Sequence, residues 1–148
     1  MRIAIDAGVL GIMCHGRHPE HAALMRWLGA IVSAASNEIY IAAISDYELR
    51  RKLVHLAMRD GVATTDSLRR LDSLQGPCTF LPLTDATLRH AADLWATARH
   101  TGQPTAAPDR LDADVILAAQ ALNVGASVVT DNARHLSRYC TVIDWRSP

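Results

Sequence analysis

The chain has 148 residues, 49% of them apolar, which is enough for one sizeable core and too little for a second, so residues 1–148 are expected to form a single domain. Fifteen Lys and Arg offset fifteen Asp and Glu, so no basic excess advertises nucleic acid, and with Lys52 the only lysine, arginine supplies the positive charge. No run of about 18 apolar residues is present to span a membrane, and Met1-Arg2 leads directly into Ile3-Ala4-Ile5 without a signal-peptide pattern, so a cytoplasmic protein with no membrane attachment is expected.

Short β-branched runs alternate with longer segments of helical period, the pattern of an α/β fold built on a parallel sheet. In chain order the spacing predicts a strand over 2–6, a helix over 19–36, a strand over 39–44 and helices over 45–61 and 64–75. A strand over 79–83 and a helix over 84–100 follow, then a helix over 112–123 and strands over 127–130 and 141–143. Gly61, Gly76, Gly102 and Gly125 stand near plausible helix stops, and 101–110 reads as the long flexible connection. Cys14, Cys78 and Cys140 are odd in number and widely spaced, which argues against both a disulfide framework and a zinc site.

In an open parallel sheet, ligands bind beyond the carboxyl ends of the strands, and the residues standing there are acidic. Ile3-Ala4-Ile5 ends in Asp6, the 39–44 run is followed by Ser45-Asp46-Tyr47-Glu48, and Val128-Val129-Thr130 ends in Asp131. Taken singly, Asp6 has an alternative as a helix N-cap, and Ser45-x-x-Glu48 fits a capping box. In LDADVILAAQAL, 111–122, the positions of Asp112 and Asp114 differ by about 200° around a helix, so the two cannot share one site from within it. Asp112 is expected to cap the helix. Asp114 falls on the stripe of Leu117, Ala118 and Ala121 and needs a counter-charge there, because an unpaired buried carboxylate costs several kcal/mol. Several acids converging without Cys or His call for a hard divalent cation, Mg²⁺ or Mn²⁺, the ions of phosphate chemistry.

With these residues placed, the chain resembles the PIN-domain ribonucleases, in particular the VapC-like toxins of bacterial toxin–antitoxin pairs. MRIAIDAGVLG is similar to the family's opening strand with its first acid at Asp6, and SDYELRRKL to the second motif with Glu48. DADVILAAQAL is similar to the D-x-x-I-A-A helix with Asp114, and VVTDNARHL to the final strand and acidic turn. The resemblance implies a three-layer α/β/α domain with a central parallel sheet of four or five short strands. It implies metal-dependent RNA cleavage with Asp6, Glu48, Asp114 and Asp131 as catalytic and metal-holding residues, assembly as a homodimer, and inhibition by a small antitoxin. One departure stands out: many relatives carry the last acid two residues after the threonine, where this chain has Asn132, and its own aspartate comes one residue after, at Asp131. Asp131 or Asn132 is expected to complete the site, with Asp112 capping or assisting.

Arg134 and His135 are candidates for a phosphate contact, whereas Arg50-Arg51-Lys52 reads as a solvated face with an RNA groove as its alternative. His15, His18 and His21 read as loop residues, and Trp27, Trp95 and Trp145 as core or interface rather than stacking platforms. An aspartyl-phosphate phosphatase or receiver domain is disfavoured, because Gly8 stands where a second aspartate would follow Asp6-Ala7 and Lys52 lies on the wrong segment. Gly8 and Gly11 do not make G-x-G-x-x-G, which argues against a dinucleotide-binding module. The alternative function is a catalytically degenerate PIN module that binds an antitoxin or RNA without turnover.

Overall fold

In strand β1 (Arg2–Ile5), Ile3 and Ile5 point into one core and Ala4 into another, which a strand achieves only when both faces of its sheet are covered. The computed structural model describes residues 1–33, 36–60, 65–103, 107 and 111–147. In it β1 is flanked by β2 (Glu38–Ala42) and β4 (Ser127–Val129), with β3 (Thr79–Leu81) and β5 (Val142–Ile143) outside them. All four pairings are parallel, in the order β3-β2-β1-β4-β5, with Ile5 opposite Ile41 on one side and Val129 on the other.

Helices α1 (Ala7–Cys14), α2 (His21–Val32), α3 (Ala43–Asp60) and α4 (Thr65–Ser73) connect the strands on the side that β1 leads to. Leu10, Leu24, Leu49 and Leu71 from these four helices meet Ile3, Ile5 and Val129 in one core. Helices α5 (Asp85–His100), α6 (Ala113–Asn123) and α7 (Ala133–Leu136) supply Ala91, Val115, Leu117 and Leu136 to the second core, against Ala4, Ala42 and Val128. The expected three-layer α/β/α architecture around a parallel sheet is what the chain forms. Chain direction across the sheet reverses between β1 and β4, a topological switch point, where doubly wound sheets open a crevice.

Several element boundaries differ from the sequence reading. The strands end one or two residues early, because their last predicted residues have left the ladder: Asp6 already caps a helix and Ala43-Ile44 opens one. α1 and α7 were not foreseen. α1 carries AGVLGIMC, apolar nearly all round, so it has no polar face to reveal a helical period. The capping box fails as well: β2 runs straight into α3, so Ser45 lies inside the first turn, fully buried and with no hydrogen-bond partner for its hydroxyl among the described residues. The amide of Ile44 is instead met by the Gln120 side chain at 3.3 Å, whose own amide donates to the Leu81 carbonyl at 2.7 Å and the Pro82 carbonyl at 3.2 Å. Buried Gln120 thus ties α6, α3 and the end of β3 together.

α2 begins at His21 rather than Pro19, and His21 Nδ1 lies 2.9 Å from the Ile12 carbonyl. Positions 34–35, 61–64, 104–106, 108–110 and 148 lie outside the described residues, so the expected helix stop at Gly61 and most of the 101–110 connection do too. Gly125, at φ 64°, turns the chain after α6 in a left-handed conformation suited to glycine. The three cysteines are free thiols, and burial pushes Cys14 and Cys140 up to about 11, so both stay protonated at neutral pH. Trp145 is buried in the first core and Trp27 packs against it, while Trp95 packs against the second.

Candidate active site

Asp6 leaves β1 at the switch point and caps α1. Its Oδ1 accepts the Ala7 amide at 2.6 Å and its Oδ2 accepts the Thr130 hydroxyl at 2.7 Å, while its own amide donates to the Val129 carbonyl at 3.0 Å. β4 and β1 therefore hold this carboxylate between them. Burial raises the Asp6 carboxyl above the usual range, the bonds from Thr130 and Ala7 oppose the rise, and Asp131 adds to it.

Glu48 and Asp114 reach the same region from α3 and α6, whose N-termini lie at the carboxyl edge as connections in a parallel sheet require. Both carboxyls are raised, first by burial and next by the charge of Asp6. Asp114 raises Glu48 further, Asp112 raises Asp114, and Arg51 and His135 counter them respectively. Three acids from three elements thus repel one another at one edge. The positive ends of α1, α3 and α6 offset this in part.

Two arginines stand beside these acids. Arg51 stands 3.8 Å from Glu48, and the guanidinium of Arg146 is bound to the carboxylate of Asp131. Arg146 also grips Glu20 at 2.6 and 2.7 Å and lies over the Trp145 ring at 4.6 Å, so the fourth acid is tied to a three-residue network on the rim. Neither Arg146 nor Glu20 was singled out from sequence, because their pairing spans 126 positions and leaves no local pattern. Asp131 stays near α1: a Cβ built on Gly8 would lie 3.9 Å from its Oδ2.

Asp112 is the N-cap of α6, accepting the Val115 amide at 3.4 Å, as the orientation argument requires. Asn132 precedes α7 with its side chain making no cap bond, and its amide donates to Thr130 Oγ1 at 2.8 Å. Thr130, fully buried, thereby links the β4 turn to Asp6, and sequence reading passed it over. His135 on α7 faces Asp114, Nδ1 to Oδ2 at 3.6 Å, whereas Arg134 is exposed on the same short helix. Among the described residues, no three His, Cys, Asp or Glu side chains form a ready-made metal cage. The fit to a hard cation is therefore one of chemistry: three carboxylates raised first by burial, with Glu48 and Asp114 raised further by the charge of Asp6.

The PIN domain family pattern matches residues 3–141, and the chain belongs to that family, whose members are generally nucleases. No curated protein sequence matches it. Among solved structures it is similar to VapBC-1 from nontypeable Haemophilus influenzae, with TM-score 0.73 and 17% identity over 99% of this chain and 100% of that one. It is also similar to VapBC2 from Rickettsia felis bound to a DNA fragment from their promoter, with TM-score 0.73 and 14% identity over 98% and 99% of the two chains. FitAcB from Neisseria gonorrhoeae gives TM-score 0.68 and 18% identity over 99% of each. At such identities the likeness is one of fold.

Proposed function

We propose that this chain is a Mg²⁺- or Mn²⁺-dependent endoribonuclease of the cytoplasm, the toxin of a toxin–antitoxin pair, and that it assembles as a homodimer. The observation that carries the reading is that Asp6, Glu48 and Asp114 stand at the switch point with all three carboxyls raised, first by burial, the charge of Asp6 adding to the rise of Glu48 and Asp114. A divalent cation relieves that repulsion. These three residues would hold it, with Asp131 or Asn132 completing the set and Asp112 assisting. When bound, such an ion lowers the pKa of an attacking water and neutralises charge on the scissile phosphate.

The chain's own residues prepare this chemistry. Thr130 and the Ala7 amide orient Asp6, His135 faces Asp114 Oδ2, and Arg134, exposed on α7, would meet a phosphate. Likeness to VapC-like toxins, together with the solved VapBC and FitAB complexes, supports an antitoxin as partner. Two features favour the second reading, a binding module without turnover: Arg146 occupies Asp131, and Asn132 stands where the resemblance implies an acid in many relatives. Cleavage of RNA by the purified chain with added Mg²⁺ or Mn²⁺, assayed beside a folded Asp114→Asn variant, separates the two. Equal activity in both proteins, or none in either, rejects the nuclease.

A further inference from the structure

We propose that the cleft between α1 and α3 carries the nucleic-acid strand as it leaves the carboxylates, with Lys52 and Arg51 holding its phosphates. The inference rests on the nuclease reading and names where its substrate lies. The cleft is lined by Ala7, Gly8, Gly11, Glu48, Arg51 and Lys52, so it opens directly on the acid cluster through Glu48 and through Ala7, the neighbour of Asp6. A phosphate approaching three carboxylates is repelled unless cations stand beside its path. The cleft provides them on one wall.

The run Arg50-Arg51-Lys52 divides by role. Arg50 is turned to Asp46, with both bonds at 2.9 Å, and to Asp72 at 2.8 Å, and it does not line the cleft. Arg51 does line it, 3.8 Å from Glu48 and 5.2 Å over the ring of Tyr47, a half-exposed platform. Lys52 is exposed on the same wall and forms no hydrogen bond or ion pair with any described residue. Its ammonium is thus available to a phosphate, which it meets as a point charge. The opposite wall is bare backbone at Gly8 and Gly11. A Cβ at Gly11 would meet Leu49 Cδ1 at 3.6 Å and one at Gly8 would meet Asp131 Oδ2 at 3.9 Å, both ordinary contacts, so internal packing does not require glycine at either position. Their smoothness leaves room for a strand.

The test reads binding rather than turnover. A fluorescein-labelled single-stranded RNA of mixed sequence is titrated with the full chain in EDTA, where nothing is cleaved, across a range of salt. Lys52→Ala should bind several-fold more weakly at low salt and lower the slope of log affinity against log salt by about 0.7, the share of one phosphate on a single strand. Arg50→Ala, which removes the same charge two positions away, should leave the slope unchanged, with circular dichroism confirming that both variants are folded. An unchanged slope in Lys52→Ala, an equal fall in Arg50→Ala, or no salt-dependent binding by the parent chain overturns the proposal. If the slope falls as expected yet the parent never cleaves RNA with Mg²⁺ or Mn²⁺, the nuclease reading alone is lost.

Discussion

The burial of Asp6, Glu48 and Asp114, with the charge of Asp6 acting on the other two, makes the stability of the cation-free protein depend on pH in a sense opposite to that of an ordinary salt-bridged acid. All three carboxyls are raised in the fold, so between the usual carboxylate range and their folded values the native state binds more protons than the unfolded chain. Their contribution to stability is then greatest at low pH and is lost as pH rises through the folded values, about 1.4 kcal/mol for each unit of elevation. Asn at position 114 removes one of the charges. Asp114→Asn should therefore gain on the parent as pH rises above the carboxylate range in EDTA, and the two should converge at pH near 4. Added Mg²⁺ or Mn²⁺ should reverse the order at pH 7.5. At a hundred times its dissociation constant, a cation bound only by the native state stabilises by about 2.7 kcal/mol, or roughly 5–11 °C in Tm for a chain of this size. The variant should keep less than half of that shift. Differential scanning fluorimetry over pH and cation concentration reads both effects. A gap between the two proteins that is constant with pH, or an equal cation shift in each, would refute the argument that Asp114 belongs to a self-repelling site.

Four further outcomes follow from particular contacts. Asp112→Ala should lose about 1 kcal/mol through the missing cap of α6, seen as a lower Tm, while cation binding by calorimetry persists. Gln120→Leu orphans the buried Ile44 amide and the Leu81 carbonyl, so chemical denaturation should show a loss of about 2–4 kcal/mol, and cleavage should fall as α3 shifts against α6. Arg146→Ala releases Asp131; if Asp131 completes the site, affinity for Mn²⁺ should rise by calorimetry, and an unchanged affinity would leave the role to Asn132. An antitoxin that inserts an arginine among the carboxylates should compete with Mg²⁺, and wholly independent binding of the two would exclude that mode of inhibition.

The parts of this site that were legible in the sequence are those whose signal is local. An acid directly after a β-branched run marks the carboxyl end of a strand, which is how Asp6 and Asp131 come to stand out, and the angle between positions 112 and 114 separates the cap from the inward carboxylate without any structure. What escaped depends on pairs distant in the chain. Arg146 meets Asp131 across 15 positions and Glu20 across 126, so no window of sequence contains the network. The capping box at Ser45 and Glu48 misled for a different reason: the motif is satisfied only if a loop precedes the helix, and here β2 enters α3 directly, leaving a glutamine from α6 to meet the buried Ile44 amide.

That failure bears on chemistry as well as on folding. A Glu48 engaged in a capping box would spend its carboxylate on the backbone of its own helix. Gln120 answers the Ile44 amide from outside, and no hydrogen bond within α3 claims the Glu48 carboxylate, which lies 3.8 Å from Arg51. The same holds on α6, where Asp112 takes the cap and Asp114 is left to face Asp6 and His135. Asp6 serves as both cap and site residue, and Thr130, directly after β4, donates to its second oxygen, fixing the plane of the carboxylate. Two of the three acids are thus spared from capping by another residue and the third is held from both sides, so the Glu48 and Asp114 carboxylates are left unclaimed by the backbone of their own helices while each feels the charge of Asp6.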